Sequence, residues 1–143
     1  MAERYFPFDS VAGDRKANAT IWAAFFKSCF SNGVVPYGDQ LSVSPAGGMN
    51  VSLGTGFAVI EGQAYENTAP IVFAIDPADG ALNRIDRIIL RRSTTNRNIN
   101  AAYLKGAPAG SPTAPEIAET VGGTYELARA DVLVSAGATE ITA

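Results

Sequence analysis

"DGALNRIDRIILRR", residues Asp79–Arg92, gathers Arg84, Arg87, Arg91 and Arg92 into one short run of a chain whose net charge is −3. Such a run reads either as a nucleic-acid patch or as a β-strand whose arginines hold its neighbours in register. With the two-residue period of a strand, Arg84, Asp86, Ile88, Leu90 and Arg92 share one face, and Ile85, Arg87, Ile89 and Arg91 share the other. Apolar residues occupy the centre of both faces, which predicts a strand covered on both sides with its charges nearer the ends. Asp86 is placed to anchor a bidentate pair with a cross-strand arginine. A nucleic-acid surface needs a basic domain with cations spread over one face. This chain has a pI of about 4.8, and the isoleucines demand burial. The strand reading is preferred and no nucleic-acid partner is expected, with Arg91 and Arg92 at the strand's end kept as candidates for contact between subunits.

The flanking sequence has the same texture. "LSVS" and "MNVSL" alternate around the turn "PAGG", and "FAVIEGQAYEN" turns at Glu61-Gly62, which predicts two hairpins. "PIVFAI" reads as a buried strand, and "NINAAYL" follows the polar turn "STTNR". "KGAPAGSPTAPE" crosses the surface in an extended form. "TYELARADVLV" reads as a strand or short helix, and "TEIT" as a last short strand.

Ahead of these lies one helix. In "NATIWAAFFKSCFSNG", Ile21, Trp22, Phe25, Phe26, Cys29 and Phe30 fall on a single apolar stripe, with Asn18 as N-cap and Gly33 at the C-terminal end. A helix of this length is marginal alone in water, so it is expected to dock on the sheet through that stripe, with Cys29 as a small buried hydrophobe. The opening "MAERYFPFD" is extended around Pro7. It is either a strand of the chain's own sheet or an arm laid on a neighbour, which makes Tyr5, Phe6 and Phe8 further candidates for contact between subunits. The expected organisation is an extended arm over 1–16, the helix over 17–33 and a β-rich domain over 34–143. Together they form a mainly β fold, an antiparallel sandwich or small barrel with the one amphipathic helix packed on it.

Composition narrows the function. The 143 residues suit one domain, and with one cysteine the fold is held by packing rather than disulfides. No basic-then-apolar leader opens the chain, and no apolar run approaches the ~20 residues of a membrane span, so a soluble protein maturing in a reducing cytosol is expected. The sequons at Asn18 and Asn50 are read as chance matches. There is no histidine, hence no histidine-based triad or metal site. "GTGFAV" lacks the third glycine of a dinucleotide fingerprint. "DPADGALNRID" misses the acid, glycine and glutamate positions of a calcium loop and reads as a turn. No catalytic residue, cofactor or metal is expected.

A family resemblance rests on ordered blocks: "YFPFDSVAGDRK", an amphipathic helix, "SNGVVP", "GMNVSLGTGFAVIEGQAYENT", "DPADGALNRIDRIILRR", "NRNINAAYLKGAPAGSPTAPE" and "YELARADVLVSAGATEIT". Nearly the whole chain thus resembles the N-terminal domain of baseplate or tail-tip proteins from tailed phages of Gram-positive bacteria. The resemblance implies a non-catalytic virion structural protein, assembled in the host cytoplasm. Such a protein is an adaptor fixing receptor-binding or side-fibre components to the distal tail. Its partners would be other tail and baseplate proteins and further copies of itself, a trimer first and a hexameric ring second, with host saccharide met only indirectly. Relatives commonly continue into a shaft or head, whereas this sequence stops at Ala143, so it is expected to be either a stand-alone adaptor or the first part of a longer protein. The alternative is a carbohydrate-binding module, for which Tyr37, Tyr65 and Tyr103 are the candidate stacking rings once Trp22 is assigned to the helix stripe; an enzyme comes last.

Overall fold

The computed structural model describes residues 6, 9–13 and 17–142. Among them a helix, α1 (Ala19–Cys29), precedes β1 (Gly33–Val35), β2 (Val43–Pro45), β3 (Asn50–Leu53), β4 (Gly56–Ile60), β5 (Gln63–Asn67), β6 (Ile71–Ala74), β7 (Arg84–Ser93), β8 (Asn98–Leu104) and β9 (Tyr125–Val134). All pairings are antiparallel and build three sheets, ordered β1-β4-β5, β2-β3-β6 and β8-β7-β9. The chain is mainly β, a small sandwich carrying one helix. Both expected hairpins form. In the second, Ile60 pairs with Gln63 across a two-residue turn, and Glu61 and Gly62 have φ of 52° and 73°, the left-handed pair that matches strand twist.

The arginine-rich stretch becomes β7, the centre of its sheet. Its inward face supplies Ile88 to one apolar cluster, with Val51, Ile75, Val132 and Val134. Two residues on, it supplies Leu90 to a second cluster, with Leu41, Leu53, Ala58 and Ile60. One strand therefore stitches two cores. Ile89, on the opposite face, is buried as well. The Pro-rich passage runs over that side: Arg87 donates to the Pro115 carbonyl at 2.6 Å, and a Cβ on Gly106 would lie 2.0 Å from the Ile85 carbonyl oxygen.

"TYELARADVLV" is a strand throughout, with one irregularity. Ile88 pairs with Ala130 but Ile89 pairs with Ala128, so Arg129 is the extra residue of a β-bulge. The bulge explains the sequence. Tyr125 and Leu127 face inward at odd positions, then Val132 and Val134 at even ones; an unbroken strand would have turned Arg129 and Asp131 into the core. Arg129 instead donates to the carbonyls of Gln40 and Leu41 at 3.2 and 3.3 Å. "TEIT" forms no strand; its Ile141 enters the first cluster, held by an N–H bond to the Gly48 carbonyl at 2.9 Å.

The helix corrects an expectation. It forms where the pattern placed it, and Asn18 caps it by accepting from the Ile21 N–H at 3.1 Å. However, no residue of α1 is buried. Phe25, Phe26 and Phe30 are 43%, 39% and 53% exposed, so the aromatic stripe is not the docking face; Cys29 is exposed too, and Trp22 half-buried. The cause lies in the β4–β5 turn. A Cβ on Gly62 would come within 1.9 Å of the Ala23 carbonyl oxygen, so the turn's backbone presses directly on the small-residue side of the helix. Lys27, one turn further along, is ion-paired with Glu61. That pair fixes the rotation of the helix and points the rings outward.

Candidate functional site

Each β7 arginine has a partner within the chain. Arg84 and Asp86 lie two residues apart on the inward face and are 1% and 0% exposed, so their charges persist only if every polar atom is matched. They are. The Arg84 Nε donates to both Asp86 oxygens at 3.0 and 3.1 Å. Its other nitrogens donate to the Pro77 carbonyl at 2.6 Å and to the Asp76 carbonyl. The Tyr103 hydroxyl and the Gly106 N–H donate to Asp86 at 2.7 and 2.8 Å. Burial, reinforced by the bond to Asp86, pushes the Tyr103 phenol up to about 12. Asp86 thus pairs along its own strand rather than with an arginine across the sheet.

The cross-strand bidentate pair belongs to Arg87. It faces Asp131 in register and donates at 2.6 and 3.0 Å. Arg91 faces Glu126 and donates at 2.6 Å, while Glu126 also accepts from the Ala118 N–H at 2.8 Å. Arg92 is buried, bonded to the Gln63 side chain in β5 and to the Gly123 carbonyl, so it ties two sheets together. Of the candidates for contact between subunits, Arg91 thus reaches the surface while ion-paired, and Arg92 is enclosed. Phe6 packs edge-on against Trp22 and Phe25 of its own helix, with ring centroids 6.1 and 5.9 Å away. Tyr5 and Phe8 lie outside the described residues.

The candidate sugar-stacking rings do not converge. Tyr65 packs against the second cluster and Tyr103 against the first; Tyr37 is 61% exposed. Beside Tyr37, Asp39 accepts from the Thr55 N–H and hydroxyl at 3.1 and 2.7 Å. Those bonds hold its carboxyl below the usual range and leave it acting as a loop staple. An open groove of about 510 Å³ lies between β2 and β9, with Val43, Pro45, Val132 and Leu133 in its walls. Its carboxylate, Asp131, is the one held by Arg87. Among the described residues no group of three or more His, Cys, Asp or Glu could hold a metal ion, and no helix is long and apolar enough to cross a membrane.

The features that periodicity missed are the helix rotation and the buried Arg84–Asp86 pair. The first had a weak signal, a glycine in a tight turn, but its partner is remote in sequence. The second had one as well: Arg84 and Asp86 share the face that carries Ile88 and Leu90. A scan against protein-family models, a search of curated proteins and a search of solved structures each found no match.

Proposed function

We propose that this chain is a structural adaptor of a phage tail or baseplate, acting in several copies to attach receptor-binding or fibre components to the distal tail. The observation that carries this reading is the internal use of the Asp79–Arg92 block, the most specific part of the family resemblance. Its four arginines are spent on Asp86, Asp131, Glu126 and Gln63, which supports a stiff scaffold rather than a charged binding face. An adaptor needs such a scaffold together with surfaces for neighbouring proteins, and the exposed rings of α1 supply one. Tagging the protein in its phage and imaging gold-labelled virions by negative stain tests the reading. Label at the distal end of the tail is expected; virions without label would overturn it.

A second reading, a saccharide-binding module, has the exposure of Tyr37 in its favour. Glycan-array binding that disappears in Tyr37→Ala would support that reading.

A further inference from the structure

We propose that the groove between β2 and β9 takes an extended segment of a partner protein, which adds a strand to the open sheet edge and sets an acidic side chain on Arg129. β2 and β9 are each the outermost strand of their sheets, and the groove of about 510 Å³ lies between them. An edge strand carries a row of unpaired backbone groups and is a template for a further strand unless something covers it. On β9 the cover is partial. A neighbouring segment closes off its first residues, where the Glu126 N–H donates to the Ala118 carbonyl at 2.7 Å. From Ala130 onward the strand lines the groove instead, and Leu133 is 56% exposed. Around β2, the Ser42 carbonyl accepts from Gly54 and the Ala46 N–H donates to Asn50. Antiparallel alternation therefore turns the N–H of Val43 and the carbonyls of Val43 and Pro45 to the free edge.

Charge selects the occupant. Arg84, Arg87 and Arg91 each hold a carboxylate of this chain, whereas the bonds of Arg129 run from Nε and Nη2 to the Gln40 and Leu41 carbonyls. Its Nη1 has no partner among the described residues. Burial holds the Arg129 pKa below its usual value, and a carboxylate beside it would offset that cost. Two departures from regular backbone converge on this one side chain. The β-bulge re-aims Arg129 out of the core. Gln40 and Leu41 both hold left-handed φ, 55° and 53°, which is strained for residues with side chains. Leu41 lies two residues ahead of Val43 and Arg129 one ahead of Ala130, so the guanidinium stands at the head of the groove. The carboxylate in the walls, Asp131, is neutralised by Arg87, and Val51, Val132 and Ile141 make an apolar floor. A strand with alternating apolar side chains and an acid at the Arg129 end matches the bonding edge, the floor and the lone cation together. The inference rests on the groove alone. Peptide binding by a chain that never appears on virions would sink the tail reading and leave this one standing, and labelled tails without peptide binding would do the reverse.

The probe is a blocked peptide alternating valine and threonine, with glutamate at one end or the other to allow both strand directions, and its glutamine counterpart. Nuclear magnetic resonance titration of the full chain is expected to shift the amides of Val43, Ser44 and 130–133 and to leave those of α1 in place. The better glutamate peptide should bind roughly tenfold tighter than its glutamine form, the worth of a charge-assisted hydrogen bond. Arg129→Met should erase that preference. Val43→Pro removes the outward N–H of β2 and no bond to β3, a change that an edge strand tolerates. It should weaken both peptides roughly fivefold while the β-sheet circular dichroism is unchanged. Absence of shifts at millimolar peptide, equal affinity for the glutamate and glutamine forms, or shifts away from β2 and β9 would each overturn the proposal. So would free glutamate binding as tightly as the whole peptide, which would make this a site for an anion and not for a strand.

Discussion

The carboxylate of Asp86 is fully buried, and Arg84, Tyr103 and the Gly106 amide all donate to it. Removing one member of such a group strands the others in a low-dielectric site. Asp86→Ala should therefore cost about 3–5 kcal/mol in urea unfolding, the range for breaking a buried ion pair. The double variant Arg84→Met, Asp86→Leu should lose much less, because it leaves no unpaired charge. A cost below ~1 kcal/mol for Asp86→Ala would mean that water reaches the pair. Glu61, in the β4–β5 turn, carries a pH linkage, with its side chain nearly enclosed. The Lys27 ammonium and the Asn32 amide hold its carboxyl below the usual range, so the folded state favours the ionised form. The resulting stabilisation is complete above the ordinary carboxylate pKa and is lost as pH falls through the depressed one. Acidification should release α1 from the β4–β5 turn while the sheets persist, followed by Trp22 fluorescence. Glu61→Gln should abolish that acid step, and a step that survives in the variant would point to another carboxyl.

At the scale of elements, the contact between α1 and the β4–β5 turn depends on a side chain that is absent. Gly62 sits at φ +73°, and a Cβ there would meet the Ala23 carbonyl oxygen and carbon at 1.9 and 2.7 Å. Gly62→Ala combines the clash with a left-handed backbone and should cost at least about 1 kcal/mol. Gly62→Asn tolerates the left-handed conformation but keeps the clash, so it should also detach the helix. A docked helix in Gly62→Asn, judged by Trp22 quenching, would show that close approach is not what seats it. The same elements show how far the sequence could be read. The hairpins, β7 and its two faces follow from local alternation, and each came out where the pattern put it. The helix also formed on schedule, but its orientation depends on Gly62 and Glu61, which a periodicity count of 17–33 does not weigh. The bulge was written locally, in the change from odd to even apolar positions between Leu127 and Val132. What was illegible was the target of Arg129, since the Gln40 and Leu41 carbonyls are brought to it by the tertiary fold. The candidate contact residues fared unevenly for a related reason: position along a strand does not say that Arg92 will be claimed by Gln63.

Across the whole molecule, stability is distributed unequally, and the distribution follows from who shares a core. Ile88 and Leu90 stand two residues apart on β7, yet they belong to different clusters, the first drawing on two sheets and the second on all three. A truncation at either place should therefore weaken the same cooperative unit. Leu90→Ala, at a fully buried position, should cost about 2–5 kcal/mol and speed amide exchange in β3, β4 and β9 alike. The helix stands outside this unit, since it buries no residue in either cluster. Its amides should exchange by local opening, which needs far less free energy than global unfolding. Hydrogen exchange on a dilute sample should then show α1 amides exchanging at least roughly a hundredfold faster than those of Ile88–Leu90. Leu90→Ala should leave the α1 rates where they were. Equal protection of helix and β7 at low concentration would mean that α1 is bound into the sandwich more firmly than the Lys27–Glu61 pair and the Gly62 contact provide.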